Sequence, residues 1–409
     1  MILVLSFGVI YYSNIFNSRE SIGGFVDNVK VGEPAQGSQN LNISKNIPLD
    51  TEYTVPEELK ERESKAVTAD TYFVKDYIKN INAQLASTTG TAGIMNKKLA
   101  YAYSYPYTTL ITNRAERDEK TIISYNEMYK LGGEIKSLNS ADKVWFTNKF
   151  YYIFYQTFEN SCFIHQNLYK SDWVKDPEFV KISNKYPDQK VLASFVFFNS
   201  LFEKIPNREM DNITASTQAF IISRILRDFG DKISDVDKTQ YIAKLSYIMN
   251  NYNLYTKSKN FAVPNNAVFV PKSYYAFNVD VLSDYDKTIT KETVAKTYEK
   301  TLLELDAAKL SDSDPSLLYK MWVSNMYLGF LQKNNLADKT KVQSVVNEIL
   351  KIDKAVALGE STKAIQFFFF SNSQTSMGSW DSIRQNIILV AKDNSDFKIF
   401  LIKYGVKFN

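Results

Sequence analysis

Residues 144–158 read VWFTNKFYYIFYQTF. Wound into a helix, this stretch is apolar or aromatic on nearly every side, which is the pattern of a helix at the centre of a core. Ser140 is a plausible N-cap, and the segment extends from Val144 to Leu168. Its length admits a membrane span as a rival reading, but Lys149, Glu159 and several amides argue against one.

Toward the C-terminus the punctuation is helical. Asp176 followed by Pro177 resembles a cap and a first-turn proline. Leu192, Phe195, Phe198, Leu201, Phe202 and Ile205 then recur at helical spacing, with Val191 beside them. Ala219, Ile222, Leu226 and Phe229 predict one helix that stops at Gly230, and Tyr241, Leu245, Ile248 and Tyr252 predict the next. Their short link predicts an antiparallel pair. Residues 261–289, with Pro264, Pro271 and short alternating apolar pieces, predict an extended loop or small β-hairpin and a domain boundary. After Thr290 helices resume. Val294, Tyr298, Leu302 and Leu305 share one face; Asp314 and Pro315 open a second helix through Leu318, Trp322 and Leu328. Three more are expected over 342–350, 364–370 and 379–392, with a short one at 397–404.

Toward the N-terminus, Ile111, Ala115, Ile122, Tyr125 and Tyr129 fit helix faces, with a break expected at Gly132 and Gly133. Phe73, Tyr77, Ile81 and Leu85 mark an earlier helix. Residues 19–60 have linker composition, with glycines and prolines among Ser, Asn and Gln. Met1–Phe16 carries no charged side chain before Arg19. A helix over 1–18 rises roughly 27 Å, slightly less than the roughly 30 Å hydrocarbon core. It is read as a membrane anchor, the alternative being a buried core segment. It has neither the basic leader nor the cleavage site of a signal peptide. Arg19 and Lys30 taken alone would hold the body in the cytoplasm. The preferred expectation is that Met1 is internal to a longer gene whose basic leader is missing, which places the body outside.

Composition narrows the class. The chain has 409 residues, 44% hydrophobic and 23% charged, with 14 Gly and 10 Pro, a poverty of turn formers that favours helix over a β-sandwich. Lys and Arg number 49 against 45 Asp and Glu, spread along the chain, so no clustered basic face points to nucleic acid. A single cysteine excludes an internal disulfide and a cysteine zinc cage. The 27 Tyr and 27 Phe are read as core filling rather than as a ligand surface.

No catalytic signature emerges. The only histidine, His165, excludes a two-histidine zinc motif. Cys162 stands three residues before it, and the pair is read as buried and structural, since both lie in the most apolar helix. Ser140 and Lys143 have a serine–lysine spacing without the Lys-Thr-Gly that should accompany it. Asp280, Asp284 and Asp286 have partial calcium-loop spacing, but Ile289 and Ala295 stand where glycine and glutamate are needed; Asp231, Asp235 and Asp237 fail likewise at Gln240 and Ser246. Gly23-Gly24 and Gly132-Gly133 lack the spacing and lysine of a phosphate loop. Facing carboxylates for glycan chemistry are defined in space and stay open. So does a sugar groove lined by Trp145, Trp173, Trp322 and Trp380. No metal, cofactor or catalytic residue is therefore assigned.

The segment VQSVVNEILKID, 342–353, resembles the second helix of a tetratricopeptide repeat, with Val342, Val346, Ile349, Leu350 and Asp353 near that family's characteristic positions. Lys354 stands where the family has proline, Leu328-Gly329 is one residue out of register, and no 34-residue period recurs. The resemblance implies helix-pair stacking and, by analogy, protein binding.

The expected architecture is all-α: an anchor helix (1–18), a flexible linker (19–60), a helical domain (61–260), an extended loop or hairpin (261–289) and a helical-hairpin repeat domain (290–409), stacked as in a solenoid. The expected function is that of a membrane-tethered, extracytoplasmic bacterial scaffold that binds a protein partner. A surface sugar or peptide receptor, resembling the helical starch-binding lipoproteins of outer membranes but without their lipid-bearing cysteine, is the alternative. A carboxylate-based glycan enzyme is the third reading.

Overall fold

Capping residues and apolar faces account for most helix boundaries in the computed structural model, which describes residues 90–105, 114–160, 168–255, 270–306, 316–336, 340–345, 347, 395, 398 and 399. The helices are α1 (Gly90–Ser104), α2 (Arg114–Glu134), α3 (Ser140–Asn160), α4 (Pro177–Lys185) and α5 (Lys190–Glu203). They continue as α6 (Asn212–Phe229), α7 (Asp235–Asn250), α8 (Val270–Ser283), α9 (Lys291–Asp306) and α10 (Ser316–Lys333). Among the described residues there is no strand, so this part of the chain is all-α. None of these helices is long and apolar enough to cross a membrane. The chain divides into two compact units between Asn278 and Val279, within α8.

The first unit is built around α3. It packs against α1, α2, α5 and α6, which explains why its sequence has no polar face. Phe146, Tyr152, Ile153, Phe154, Tyr155 and Phe158 are all buried. Phe154 stacks on Tyr125 of α2 at 4.4 Å between ring centroids, and Phe158 meets Phe198 of α5 at 4.9 Å. Trp173, fully buried in the 3-10 turn Asp172–Lys175, closes this cluster against Tyr125, Phe158, Phe179, Phe197 and Phe198. Its indole Nε1 donates to the Leu168 carbonyl at 3.1 Å, so the ring is buried without leaving its polar atom unmatched.

From α4 to α7 each helix packs on the next. Asp176 caps α4 by accepting from the Glu178 N–H at 2.8 Å, with Pro177 in the first turn, as the sequence predicts. Asp211 caps α6 through the Thr214 N–H, and Ser234 caps α7 through the Asp237 N–H. The link Gly230–Ser234 folds α7 back along α6, and Leu245 and Ile248 are buried while Tyr241 is half-buried. Gly230 ends α6 in a right-handed conformation (φ −60°), so this glycine is not a left-handed cap.

Three expectations are corrected. The cap of α3 is Asn139, whose Oδ1 accepts from the Asp142 N–H at 2.9 Å; Ser140 is the first helical residue. Gly132 and Gly133 do not break α2, which continues through Glu134. A Cβ on Gly132 would lie 2.8 Å from the Phe150 ring, so the glycine lets α2 approach α3 closely. Within 261–289 the extended loop or hairpin gives way to helix α8 over Val270–Ser283. Pro271 stands in its first turn, where a missing N–H costs nothing, and burial on nearly all sides erased the periodicity.

In the second unit α9 lies against α10, with Val294, Tyr298, Leu302 and Leu305 all buried and Tyr298 stacked on Tyr327 at 5.3 Å. Thr290 caps α9 by accepting from the Thr293 N–H. Val342 and Val345 are buried in a helical piece over 340–345. The anchor 1–18, the linker 19–60, the helix at 73–85, the Asp314–Pro315 cap and the helices expected at 364–370 and 379–392 lie outside the described residues. So do nearly all of 397–404 and, apart from 342–345 and 347, the tetratricopeptide-like segment.

Candidate functional site: a buried charge cluster between two helices

The apolar set of α6 is interrupted by Arg224 and, four residues on, Asp228, which places both on one face. The guanidinium Nε donates to Asp228 Oδ2, and Nη1 lies 3.6 Å from Glu159 Oε1 at the end of α3. All three side chains are withdrawn from solvent: Arg224 and Asp228 retain 1% exposure and Glu159 7%. Phe195 of α5 covers the guanidinium, whose carbon is 5.0 Å from the ring centroid.

One cation between two carboxylates leaves a surplus negative charge that burial penalises. Burial raises the Glu159 carboxyl to about 8; Arg224 opposes the rise and Asp228 adds to it. Asp228 is also raised by burial, against the direct hold of Arg224. Burial alone would lower the Arg224 guanidinium, but Asp228 and Glu159 together raise it. Glu159 Oε2 has no hydrogen-bond partner among the described residues. The cluster therefore holds a proton on Glu159 through neutral pH. The ion pair Arg224–Asp228 lies within α6, and the Glu159 carboxyl of α3 stands beside it inside the helix packing.

A second buried ionisable group lies on α3. Lys149 Nζ donates to Asn96 Oδ1 of α1 at 2.6 Å, and burial lowers the ammonium to about 7. The adjacent Asn148 fastens the link before α6: its Nδ2 donates to the Glu209 carbonyl and its Oδ1 accepts from the Asp211 N–H. The sequence reading noted Lys149 and Glu159 only as obstacles to a membrane span. The available signal for the cluster was the i,i+4 pair Arg224–Asp228 inside an apolar stripe; its partner Glu159 is 65 positions away, out of reach of spacing arguments.

The residues weighed from sequence are dispersed. In the second unit Asp280 accepts from the Tyr298 hydroxyl at 3.1 Å, Asp284 holds Lys333 at 2.8 Å, and Asp286 accepts from the Thr288 N–H and hydroxyl. Three acids with three separate partners make no cation cage. Asp231 pairs with Lys232 and Asp235 with Lys238. Asp237 binds Lys185 at 2.8 Å and the Ser234 hydroxyl; partial burial opposes its ionisation, yet these bonds keep its carboxyl below the usual value. Among the described residues no group of three or more His, Cys, Asp or Glu side chains is placed to hold a metal ion. Ser140 and Lys143 are both exposed on the first turn of α3.

Trp145 is half-buried near the start of α3, with its Nε1 donating to Asp142 Oδ1 at 3.2 Å. Trp173 packs at Phe158, thirteen positions further along that helix, which is about 20 Å at 1.5 Å per residue. These two tryptophans do not share a groove. The side chain of Trp322, the whole of Trp380, and Cys162 and His165 lie outside the described residues. No protein-family model, curated protein or solved structure matches the chain.

Proposed function

We propose that this chain is a membrane-tethered scaffold, its body displayed outside the cytoplasm as stacked helical hairpins, and that it works by binding a protein partner. The observation that carries the reading is the inward turn of a charge cluster: Glu159, Arg224 and Asp228 face one another between α3 and α6, closed off from solvent. A general acid must reach the substrate atom to which it gives its proton. A proton-holding carboxyl sealed between helices serves the body's architecture. The sequential packing of α4 to α7 supports the hairpin stacking, and the likeness of 342–353 to a tetratricopeptide helix supports protein binding by analogy. Attachment rests on the apolar run Met1–Phe16 and the linker after it.

Alkaline carbonate extraction of membranes from expressing cells tests the tether. The wild-type chain is expected to stay with the membrane, and a Leu5→Lys/Val9→Lys variant to be released. Release of both chains alike would overturn the attachment. Protease added to intact cells is expected to digest the body, and full protection would overturn the outside location.

A further inference from the structure

Lys149 sits where α1 meets α3. Its ammonium donates to Asn96 Oδ1 of α1 at 2.6 Å, and each of the two residues retains only 1% exposure. The acceptor is an amide, so this bond brings no opposite charge to the buried cation. Burial is what lowers the ammonium to about 7, with no contribution from a charged side chain among the described residues. Charges on the helices around α3 are engaged elsewhere. On α1, Lys97 and Lys98 are half-buried, and Lys98 pairs with Glu134 of α2 at 3.8 Å. Glu203 of α5 accepts from Asn199, Asp211 from the Thr214 N–H of α6, and Arg224 is held by Asp228.

The core of the first unit does not run through α1. This helix packs on α2 and α3, tied by the Lys149–Asn96 bond and by the Ser124 hydroxyl of α2, which donates to the Ala102 carbonyl. Gly90, Ala92, Gly93, Ala100 and Ala102 make up a third of α1, so its departure bares less apolar surface per residue than loss of α3 would. The ring cluster of Tyr125, Phe154, Phe158, Trp173 and Phe198 closes without it.

We propose that α1 is a proton-operated latch: release of α1 from α3 is coupled to uptake of one proton by Lys149, while α2 to α7 stay packed. Closed, the interface seals a neutral amine against Asn96. Open, the same amine reaches water and binds a proton, as an exposed lysine does at neutral pH. The opening constant therefore rises by about tenfold per pH unit as pH falls from 10.5 toward 7, and levels off below 7, where the closed form is protonated as well. Release bares Met95 and Leu99, which are buried in the closed chain. The latch does not depend on the membrane tether.

The test is native-state hydrogen exchange of the full chain, in detergent if the chain requires it, read on peptides from α1 and α5 at pH 7 and pH 9. Dividing each rate by the intrinsic rate at the same pH gives the opening constants. At pH 7 the α1 peptide is expected to open about tenfold or more above the α5 peptide, whose exposure needs the ring cluster to come apart. From pH 7 to pH 9 the α1 opening constant should fall about fiftyfold. In Lys149→Met that fall should vanish, and circular dichroism checks that its helices persist. Equal opening constants for α1 and α5 at both pH values would mean that α1 leaves only with the whole body, and would overturn the latch. An α1 opening constant unchanged between pH 7 and pH 9, or one that falls as steeply in Lys149→Met, would overturn it too. The wild-type comparison decides the proposal even where the methionine chain does not fold.

Discussion

Arg224 on α6 reaches Glu159 on α3 with 3.6 Å between Nη1 and Oε1, while its Nε is committed to Asp228 on its own helix. The guanidinium is thus a buried cation paired with the Asp228 carboxylate and set beside the protonated Glu159 carboxyl. Its value to the fold lies in what removal would leave behind. Arg224→Met strands the buried Asp228 carboxylate and is expected to cost about 3–5 kcal/mol in chemical denaturation. Combining it with Asp228→Asn removes the stranded charge, so the double variant should recover a large part of that loss.

Lys149 gives the alkaline side of the pH profile. Its ammonium is lowered from 10.5 to about 7, so above 7 the folded chain holds a neutral amine while the unfolded chain still binds a proton. Stability from this group therefore rises with pH between about 7 and 10.5 and is lost as pH falls through 7. Lys149→Met should flatten that rise, seen as thermal midpoints that no longer climb across the window.

Gly132 and Gly133 should respond oppositely to the same substitution. A methyl at Gly132 meets the Phe150 ring at 2.8 Å, whereas one at Gly133 meets nothing within 4 Å. Gly132→Ala is expected to destabilise by about 1–3 kcal/mol through overpacking. Gly133→Ala, inside α2, should stabilise by about 0.5–1 kcal/mol through helix propensity. Denaturant midpoints of the two variants, measured side by side, check the contrast.

The helices that sequence reading located well are those with one wet face. Val294, Tyr298, Leu302 and Leu305 alternate with exposed Glu292, Lys296 and Lys300, so the buried stripe of α9 is visible as periodicity. The Asp176–Pro177 start of α4 is legible because a cap is a local device. α8 was not legible: Ser273, Tyr274, Ala276, Phe277, Asn278 and Asp280 are all buried, leaving no polar face to alternate with the apolar one, and Pro271 reads as a breaker. The glycine pair of α2 misled for a related reason, since its use is contact with Phe150 on another helix. The charge cluster was half legible. Arg224 and Asp228 share a face by spacing, but their meeting with Glu159 is decided by how α3 crosses α6.

Glu159 carries the account's central claim, that burial between α3 and α6 keeps a proton on this carboxyl in the folded chain. Its carboxyl is raised from 4.5 to about 8, so the folded chain keeps a proton that the unfolded chain releases. The stability contributed by this proton is full below about 4.5 and is lost as pH rises toward 8. The most direct measurement is the unfolding free energy of wild type and Glu159→Gln at pH 5 and pH 8. The account predicts near-equal stability at pH 5, where both side chains are neutral, and an advantage for the glutamine variant at pH 8 on the order of a few kcal/mol. A difference that stays the same at the two pH values would contradict it.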